Sequence, residues 1–500
     1  MTDGTTITVA LALPLIATVL TVLLGKRPNV REICTLLCAG ALFLVIASLA
    51  PGVSAGGRPA VTLVEVIPST EQMPGLAMAF EVEPLGMLFA LVASGLWIVT
   101  TCYSIGYMRA HNEDHQTRFH ACFALAIFAA IGAALAKNMF ALFIFYEVLT
   151  LSTYPLVTHH GTETARRGGR TYLGILLFTS VAFLLPAIVW TWNIAGTLDF
   201  KADGILKEPF LSGKVSKPEL YMLLALFAFG TGKAALMPFH RWLPAAMVAP
   251  TPVSALLHAV AVVKVGVFTV MKVAVYIFGI DLLTETGISI PLMYVAGTTV
   301  LIASLVALTK DNLKARLAYS TISQLSYVVL GAALATSWGV IGGSMHIAMH
   351  AFGKITLFFC AGAIYVTTHK TEISDMRGIG RTMPVTMFAF LLGSLSVIGL
   401  PPFGGSWSKW YLALGAADAY RWPFVAVLMI SSLLNIAYLM PIVVRGFFFA
   451  PVDGPERPRI QEAPMFCVIP LCVTATAGLA LFFFADRIYQ LLTPIAPPGG

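Results

Sequence analysis

Six ionisable side chains lie inside long apolar stretches of this 500-residue sequence. They are Glu147, Lys233, Lys264, Lys272, Lys354 and Lys409. Amines and carboxylates exchange protons, and a charge removed from water needs a partner charge, a hydrogen bond or trapped water. The pattern therefore predicts a buried pathway for protons or cations.

A second pattern that could do chemistry is the stretch MHIAMHAFGK, in which His346, His350 and Lys354 recur every four residues. Successive members are rotated by only about 40° around a helix, so all three share one face. Histidine titrates near neutral pH and passes protons through either ring nitrogen. We expect a proton pathway along this face, the alternative being polar residues bonded to neighbouring helices. His258 and His240 each stand alone and fit a structural or a functional role equally well.

The elements that hold these residues are predicted to be membrane helices. The chain is 58% hydrophobic and only 11% charged, whereas soluble domains carry about 25% charged residues. Its apolar runs are near the roughly 20 residues needed to cross the hydrocarbon core. We predict an all-α, polytopic membrane protein of about fourteen transmembrane helices. The predicted segments, numbered one to fourteen, lie near 5–25, 33–50, 84–107, 120–136, 139–158, 171–192, 220–248, 251–279, 288–308, 316–335, 339–367, 382–417, 423–449 and 465–485.

The stretch near 61–80 is apolar but is interrupted by Glu65, Glu71 and two prolines. We predict a loop or an interfacial piece there. The net charge of +7 does not indicate nucleic-acid binding, because the basic residues are distributed by loop. Eighteen lie in loops on one side, including Lys314, Arg457 and the group 166–170, and eight lie on the other. The positive-inside rule then places both termini on the outer, periplasmic side of a cell (inner) membrane.

Charges at the centre of a membrane cost roughly 2.5–3.5 kcal/mol each on insertion scales. Lys233, Lys264, Lys354 and Glu147 are too central to reach the surface, so we predict that they act in transport. Lys272 lies seven residues from the outer end of its segment and fits either snorkelling or transport. Lys233 is the natural partner of Glu147 because both lie near mid-segment. Movement of Glu147 toward or away from Lys233 would switch that lysine between holding and releasing a proton.

Two segments are predicted to be broken helices. Segment seven contains Pro238, Pro244, Pro250 and Pro252, and segment twelve contains Pro401, Pro402, Gly404 and Gly405. Proline removes a backbone donor, and such breaks are tolerated in a membrane where neighbours or cavity water satisfy the freed groups. Interrupted helices at corresponding positions of two halves are typical of inverted repeats. The two segments are five apart. Because five spans are an odd number, the second repeat must be inverted relative to the first. Each of the two segments also carries a buried lysine, Lys233 or Lys409.

Six stretches carry a resemblance to a known family. They are FYEVLTLSTYPLV, GKAALMPFHRWLPAA, APTPVSALLHAVAVVKVGVF, LKARLAYSTISQLSYVVLG, HAFGKITLFFCAGA and GLPPFGGSWSKWYL. Over roughly residues 80–450 the chain resembles the antiporter-like subunits shared by respiratory complex I, membrane-bound hydrogenases and the multisubunit Mrp sodium/proton antiporters. The sequence around Lys409 and the APTP stretch are most similar to the D-type subunit of Mrp antiporters.

The resemblance implies four parts of the chain. They are helices one to three at 1–110, a first inverted repeat of helices four to eight at 111–286, a second of helices nine to thirteen at 287–450, and a C-terminal loop and helix fourteen at 451–500.

It also implies roles for single residues. Glu147 matches the glutamate of the fifth segment, and Lys233 the lysine of the seventh that pairs with it. Lys264 matches the lysine of a central hydrophilic axis, and Lys354 the basic residue of segment eleven. Lys409 matches the terminal residue, which some relatives replace with glutamate.

The leading hypothesis is a proton-translocating subunit of an Mrp-type antiporter of sodium or another monovalent cation. It is not an enzyme, and its partners are other membrane subunits, protons, monovalent cations and lipid. The absence of CxxC, Rossmann glycines and haem motifs predicts no cofactor and no metal. Glu147 is the only predicted mid-segment carboxylate, so we expect partner subunits to bind sodium. The alternatives are a pump subunit of a redox-driven complex, quinone-linked or hydrogenase-linked, and a scaffold whose buried charges only hold helices together.

Overall fold

The computed structural model describes residues 3–68, 70, 75–450 and 459–496. Glu71, Arg457 and part of the predicted C-terminal loop lie outside the described residues. Within these ranges, twelve helices are long and apolar enough to cross a membrane. These twelve are segments one to six, eight to eleven, thirteen and fourteen, with the bounds Asp3–Leu23, Pro28–Ser54, Pro84–Ala110, Gln116–Ala134, Met139–Val157, Glu163–Ala195, Thr251–Phe278, Ile290–Thr309, Leu313–Leu334, Ser337–Thr368, Trp422–Phe448 and Met465–Phe483.

Segments seven and twelve complete the fourteen, and both are broken as predicted. Segment seven consists of a helix Lys217–Gly230, a 3-10 turn Gly232–Ala234, a short helix Trp242–Ala245 and a 3-10 turn Ala246–Val248. Segment twelve consists of the helices Pro384–Ile398 and Gly405–Asp418. Gly399, at φ +87°, ends the first of these in a left-handed conformation that glycine adopts readily. The break falls in the fourth segment of each predicted five-segment repeat.

The stretch that was predicted to be a loop or interfacial piece forms a β-hairpin instead. Strands Ala60–Ile67 and Leu76–Glu81 pair antiparallel, with Ala60 opposite Glu81. The first strand, AVTLVEVI, is rich in β-branched residues, which favour strands over helices. The remaining elements are the short helices Lys207–Leu211, Ile280–Thr286, Ile379–Thr382 and Ala485–Leu492 and the 3-10 turns Ile373–Met376 and Thr493–Ile495.

Segment six begins earlier than predicted. Its helix starts at Glu163, because the Thr162 side chain caps it by accepting a hydrogen bond from the Ala165 amide at 3.2 Å. The arginines at 166–170, which were assigned to a loop, therefore lie on the helix. Glu163 forms ion pairs with Arg167 and Arg170 on its exposed face.

Segments eight, ten and eleven form the centre of the bundle. The most apolar window of Thr251–Phe278 is 100% buried, and those of Leu313–Leu334 and Ser337–Thr368 are each 94% buried. Segment eight contains two π-helical stretches, Leu256–Val260 and Val273–Phe278, of a kind often found at functional sites. The central segments hold Lys264 and Lys354 and the three histidines predicted as pathway candidates, His258, His346 and His350.

Candidate functional site

Lys233 lies in the break of segment seven, just beyond the helix that ends at Gly230. Its Nζ donates to the Tyr146 carbonyl at 2.8 Å and to Thr150 Oγ1 at 2.5 Å. The same amine lies 3.2 Å from the centroid of the Tyr146 ring. Segment five thus holds this buried cation through two residues, Tyr146 and Thr150, that sequence reasoning did not predict.

The expected ion pair between Glu147 and Lys233 is not formed. Both carboxylate oxygens of Glu147 are buried, and neither has a hydrogen-bond partner among the described residues. The two charges are nevertheless near enough to interact electrostatically. A buried carboxylate of this kind needs a proton, water or a partner that moves toward it.

Lys264 and His350 form a direct contact between the two predicted repeats. Lys264 Nζ lies 2.7 Å from His350 Nδ1, and both residues are buried. One belongs to segment eight and the other to segment eleven. Because an amine and an imidazole can each hold or release a proton, this bond can transfer a proton between the repeats. The sequence predicted both residues but did not pair them.

The predicted face of segment eleven divides into two parts. The rings of His346 and His350 stack at 5.6 Å, which confirms that these two residues share a face. His346 Nδ1 also lies 2.9 Å from Ser408 Oγ in segment twelve. Lys354 turns to another helix and donates to Ser320 Oγ at 2.5 Å.

Lys409 lies at the break of segment twelve. Its Nζ donates to the Ile398 carbonyl at 2.8 Å and to Ser432 Oγ at 3.2 Å. Ile398 is the last residue of the first half-helix. A helix end leaves carbonyls without intrahelical partners, and the amine satisfies one of them. The Asn435 amide satisfies its neighbours when its oxygen faces Lys409, 3.1 Å from Nζ, and its nitrogen faces Tyr438.

A chain of hydrogen bonds joins Lys409 to Lys354. Asn435 contacts the Tyr438 hydroxyl, which lies 2.8 Å from Ser320 Oγ, and Ser320 accepts from Lys354. Sequence reasoning missed the three bridging residues. The signal that could have found them is the run of polar residues in LAYSTISQ of segment ten and SSLLNIAY of segment thirteen.

His258 lies within the charged centre without a hydrogen bond. Both ring nitrogens are buried and have no partner in the described part of the chain, and the ring packs against Phe358 at 4.6 Å. Lys264, Lys314 and Lys354 are all near enough to interact with it electrostatically. Lys314, which was assigned to an inner loop, is the second residue of the segment ten helix and donates to the Ala249 carbonyl at 2.6 Å. The unpaired ring nitrogens of His258 can accept a proton or a hydrogen bond, whereas the charges of the three lysines oppose its protonation.

The other lone histidine, His240, lies in the break of segment seven between two short helical elements. Its Nδ1 is buried without a partner among the described residues, and its ring centroid is 6.3 Å from that of Tyr319. His240 takes no part in the hydrogen bonds described above for Lys233, Lys264, Lys354 and Lys409. Across the described ranges, no group of three or more histidine, cysteine or acidic side chains is placed to hold a metal ion.

Comparison with known proteins places these residues in a family context. The profile of the family described as "NADH:quinone oxidoreductase/Mrp antiporter, TM" matches residues 136–435. The N-type subunit of the NADH-quinone oxidoreductase of Desulforudis audaxviator is 31% identical, covering 85% of this chain and 86% of that protein. The D-type subunit of the Na(+)/H(+) antiporter of Alkalihalophilus pseudofirmus is 26% identical, covering 97% of this chain and 95% of that protein.

Solved structures agree on the fold. A chain of the Mrp complex from Dietzia sp. DQ12-45-1b superposes with a TM-score of 0.86 at 21% identity, covering 100% of this chain and 98% of that one. This likeness shows that the two chains share the same fold. The chain spans between about half and two thirds of the length of some longer curated relatives.

Proposed function

Because the chain belongs to the NADH:quinone oxidoreductase/Mrp antiporter family, we propose that it is the proton-translocating subunit of an Mrp-type cation/proton antiporter. It moves protons along buried glutamate, lysine and histidine side chains rather than catalysing a chemical reaction. The near full-length match to the D-type subunit of an Na(+)/H(+) antiporter favours this function.

The observation that carries the proposal is the 2.7 Å contact between Lys264 and His350. Two side chains that both bind protons meet in the most buried part of the bundle. On one side of this contact lies the Lys233 and Glu147 region of the first repeat. On the other, His346 leads toward Lys409. We assign proton transfer to Glu147, Lys233, His258, Lys264, His346, His350, Lys354 and Lys409.

The location and assembly follow from the same proposal. The chain spans the cell (inner) membrane with both termini on the outer side, as the distribution of basic residues predicts. It works with other membrane subunits, which supply the oxygen-rich site that a sodium ion requires. Exposed apolar side chains such as Leu23 and Phe448 leave surface for lipid or such subunits.

The proposal is tested with the complete complex in everted membrane vesicles of a host that lacks sodium/proton antiporters. Addition of NaCl to respiring vesicles should collapse part of the pH gradient when the wild-type complex is present. Glu147→Gln and Lys233→Met should abolish this response while the complex still assembles, as judged by native electrophoresis. Full antiport by both variants would overturn the assigned pathway. Loss of activity only where assembly is also lost would favour the scaffold alternative.

A second candidate function is a pump subunit of a redox-driven complex. The relative that favours it is the N-type subunit of a quinone oxidoreductase, which is more similar in sequence than the D-type antiporter subunit, at 31% against 26% identity. Purification of the complex through a tag on this chain separates the two functions. A complex that oxidises NADH or hydrogen and reduces an electron acceptor supports the redox-driven pump. A complex without electron transfer that exchanges sodium for protons in liposomes supports the antiporter.

A further inference from the structure

Half of the ten histidines of the chain lie in the loops at one end of the bundle. They follow segments three, five and eleven, whose ends meet at this face, and they are His111, His115, His159, His160 and His369. We call these five residues with Glu113 the histidine cluster. None of its members belongs to the pathway described above.

The cluster is built around Glu113. One carboxylate oxygen lies 3.5 Å from His160 Nδ1 and 3.7 Å from His159 Nε2. Further along, the ring of His111 lies 5.9 Å from that of His369 and packs against Tyr365 at 5.0 Å. His160 is also near enough to His111 to interact with it electrostatically. The imidazoles from three loops therefore form one connected group of titratable side chains.

Burial shifts the pKa values of Glu113 and His111 in opposite directions. It raises the pKa of the Glu113 carboxyl, and it lowers the pKa of the His111 imidazole, which the neighbouring His369 and His160 lower further. These shifts bring carboxyl and imidazole groups closer together in the pH range where they exchange protons.

Other ionisable and charged groups face the cluster. They are Asp114 and Arg118 beside His159, Tyr107 and Tyr365 beside His111, and Lys314 and Lys370 across the adjoining cavity. The Asp114 backbone favours the charged form of the His159 imidazole, whereas the nearby charge of Arg118 opposes it. Charged groups of both signs therefore face the cluster.

A cavity leads from the cluster into the bundle. It has a volume of about 200 Å³ and is lined by His160, Tyr107, Tyr365, Thr251, Lys314 and Lys370. Apolar residues such as Met247 and Leu313 complete the wall, and a cavity of this size with several polar groups has room for water molecules. Lys314 at its wall is near enough to His258 for an electrostatic interaction, and His258 is similarly near Lys264. The cavity therefore lies between the surface histidines and the buried centre.

We propose that the histidine cluster is the site where transported protons are exchanged between the water at this face and the buried pathway. In the orientation proposed above this is the inner face. The imidazoles of His111, His160 and His369 each bind a proton from water or from a buffer acid and pass it to the cavity water, or do the reverse, and so return to their starting state. The inference deepens the proposed function and rests on it. If the cluster only packed three loops together, a mobile base added to the solution would not restore the activity that is lost when its histidines are replaced.

The test uses the complete complex in everted vesicles and the triple variant H111Q/H160Q/H369N. Glutamine keeps hydrogen-bonding capacity without titrating, and asparagine tolerates the left-handed backbone of His369 at φ +57°. The control is Glu163→Gln, which removes an exposed carboxylate from the same end of the bundle, away from the cavity. The single variant His160→Gln, at a residue whose side chain is 35% exposed, serves if the triple variant does not assemble.

We expect the triple variant to antiport at least about threefold more slowly than wild type above pH 7.5, with a smaller difference at pH 6. Millimolar imidazole on both sides of the membrane should restore the rate, because a mobile base replaces the missing ones. Unchanged rates at every pH, or a loss that imidazole does not restore, would overturn the inference. A wild-type complex without antiport would instead contradict the proposed function. If Lys264→Met abolishes antiport but the triple variant retains it, only this inference is contradicted.

Discussion

Lys272 and Glu83 form a buried ion pair, with 3.2 Å between Nζ and Oε1. Glu83 also caps segment three through the amides of Leu85 and Gly86, and it accepts a hydrogen bond from the Tyr276 hydroxyl at 2.8 Å. Lys272 therefore does not snorkel to the surface. The pair ties segment eight to segment three.

Removal of one partner from this pair should destabilise the protein. Lys272→Met leaves the Glu83 carboxylate buried without its counter-ion, which typically costs about 3–5 kcal/mol. Lys272→Arg keeps the charge and should cost much less. The thermal unfolding midpoint of the purified complex measures both. Lys207→Met, which removes an exposed lysine paired with Asp281 at 2.8 Å, is the control and should leave the midpoint unchanged. Equal midpoints for Lys272→Met and wild type would contradict a structural role.

Gly266 allows segment eight to approach Lys233. A Cβ at this position would lie 2.7 Å from the Lys233 carbonyl oxygen and still closer to other backbone atoms of 233–234. Because backbone cannot yield as a flexible side chain does, Gly266→Ala should displace the break of segment seven and lower antiport at least about tenfold. Gly174→Ala, where a Cβ meets nothing within 4 Å, is the matched control. Equal activity of the two variants would show that the close approach is unimportant.

The hydrogen-bonded chain between Lys354 and Lys409 depends on the Tyr438 hydroxyl. Tyr438→Phe keeps the ring but removes the oxygen that lies 2.8 Å from Ser320 Oγ. We expect antiport to fall about threefold to tenfold with normal assembly. Tyr103→Phe removes a comparable buried hydroxyl, which donates to the Phe359 carbonyl at 2.9 Å and is not part of the hydrogen-bonded chain between Lys354 and Lys409. If Tyr103→Phe lowers the rate as much as Tyr438→Phe does, the effect belongs to buried tyrosines in general.

His159 should make the protein less stable in mild acid. Burial, followed by the nearby charges of His160 and Arg118, lowers its pKa to about 4, below the value of about 6.5 in an unfolded chain. Between these two values the unfolded chain binds a proton that the folded chain does not, so stability falls as pH falls from about 6.5 to 4. The loss amounts to at most about 3 kcal/mol. Unfolding midpoints at pH 7 and pH 5 should converge in His159→Gln, and an equal pH dependence in both proteins would contradict this.

The sequence was sufficient to predict the helical membrane fold, both broken helices and the burial of the ionisable residues that we assign to the proposed pathway. Apolar length and the clusters of proline and glycine depend on local composition, so they are visible without a structure. The pairing of side chains is not, because it depends on which helices pack together. Lys264 was predicted without His350, and Glu147 was assigned to Lys233, whose amine is held instead by Tyr146 and Thr150.

The β-hairpin and Glu83 were missed for a related reason. The first hairpin strand is exposed along most of its length, and its sequence AVTLVEVI shows no clear alternation of apolar and polar residues. Glu83 stands one residue before segment three and resembles a loop residue in sequence, although it is only 3% exposed. Its burial follows from the neighbouring segment eight and from Tyr276 rather than from anything local.

Transfer of protons between the two repeats through Lys264 and His350 is the central claim. Arginine in place of Lys264 keeps the positive charge but does not release a proton at working pH. The most direct measurement is therefore sodium-dependent proton movement in everted vesicles that contain assembled complexes of wild type, Lys264→Arg or Lys264→Met. We predict at least a tenfold loss of antiport in both variants. Antiport at the wild-type rate by Lys264→Arg would mean that only the charge is needed and would contradict proton transfer through this contact.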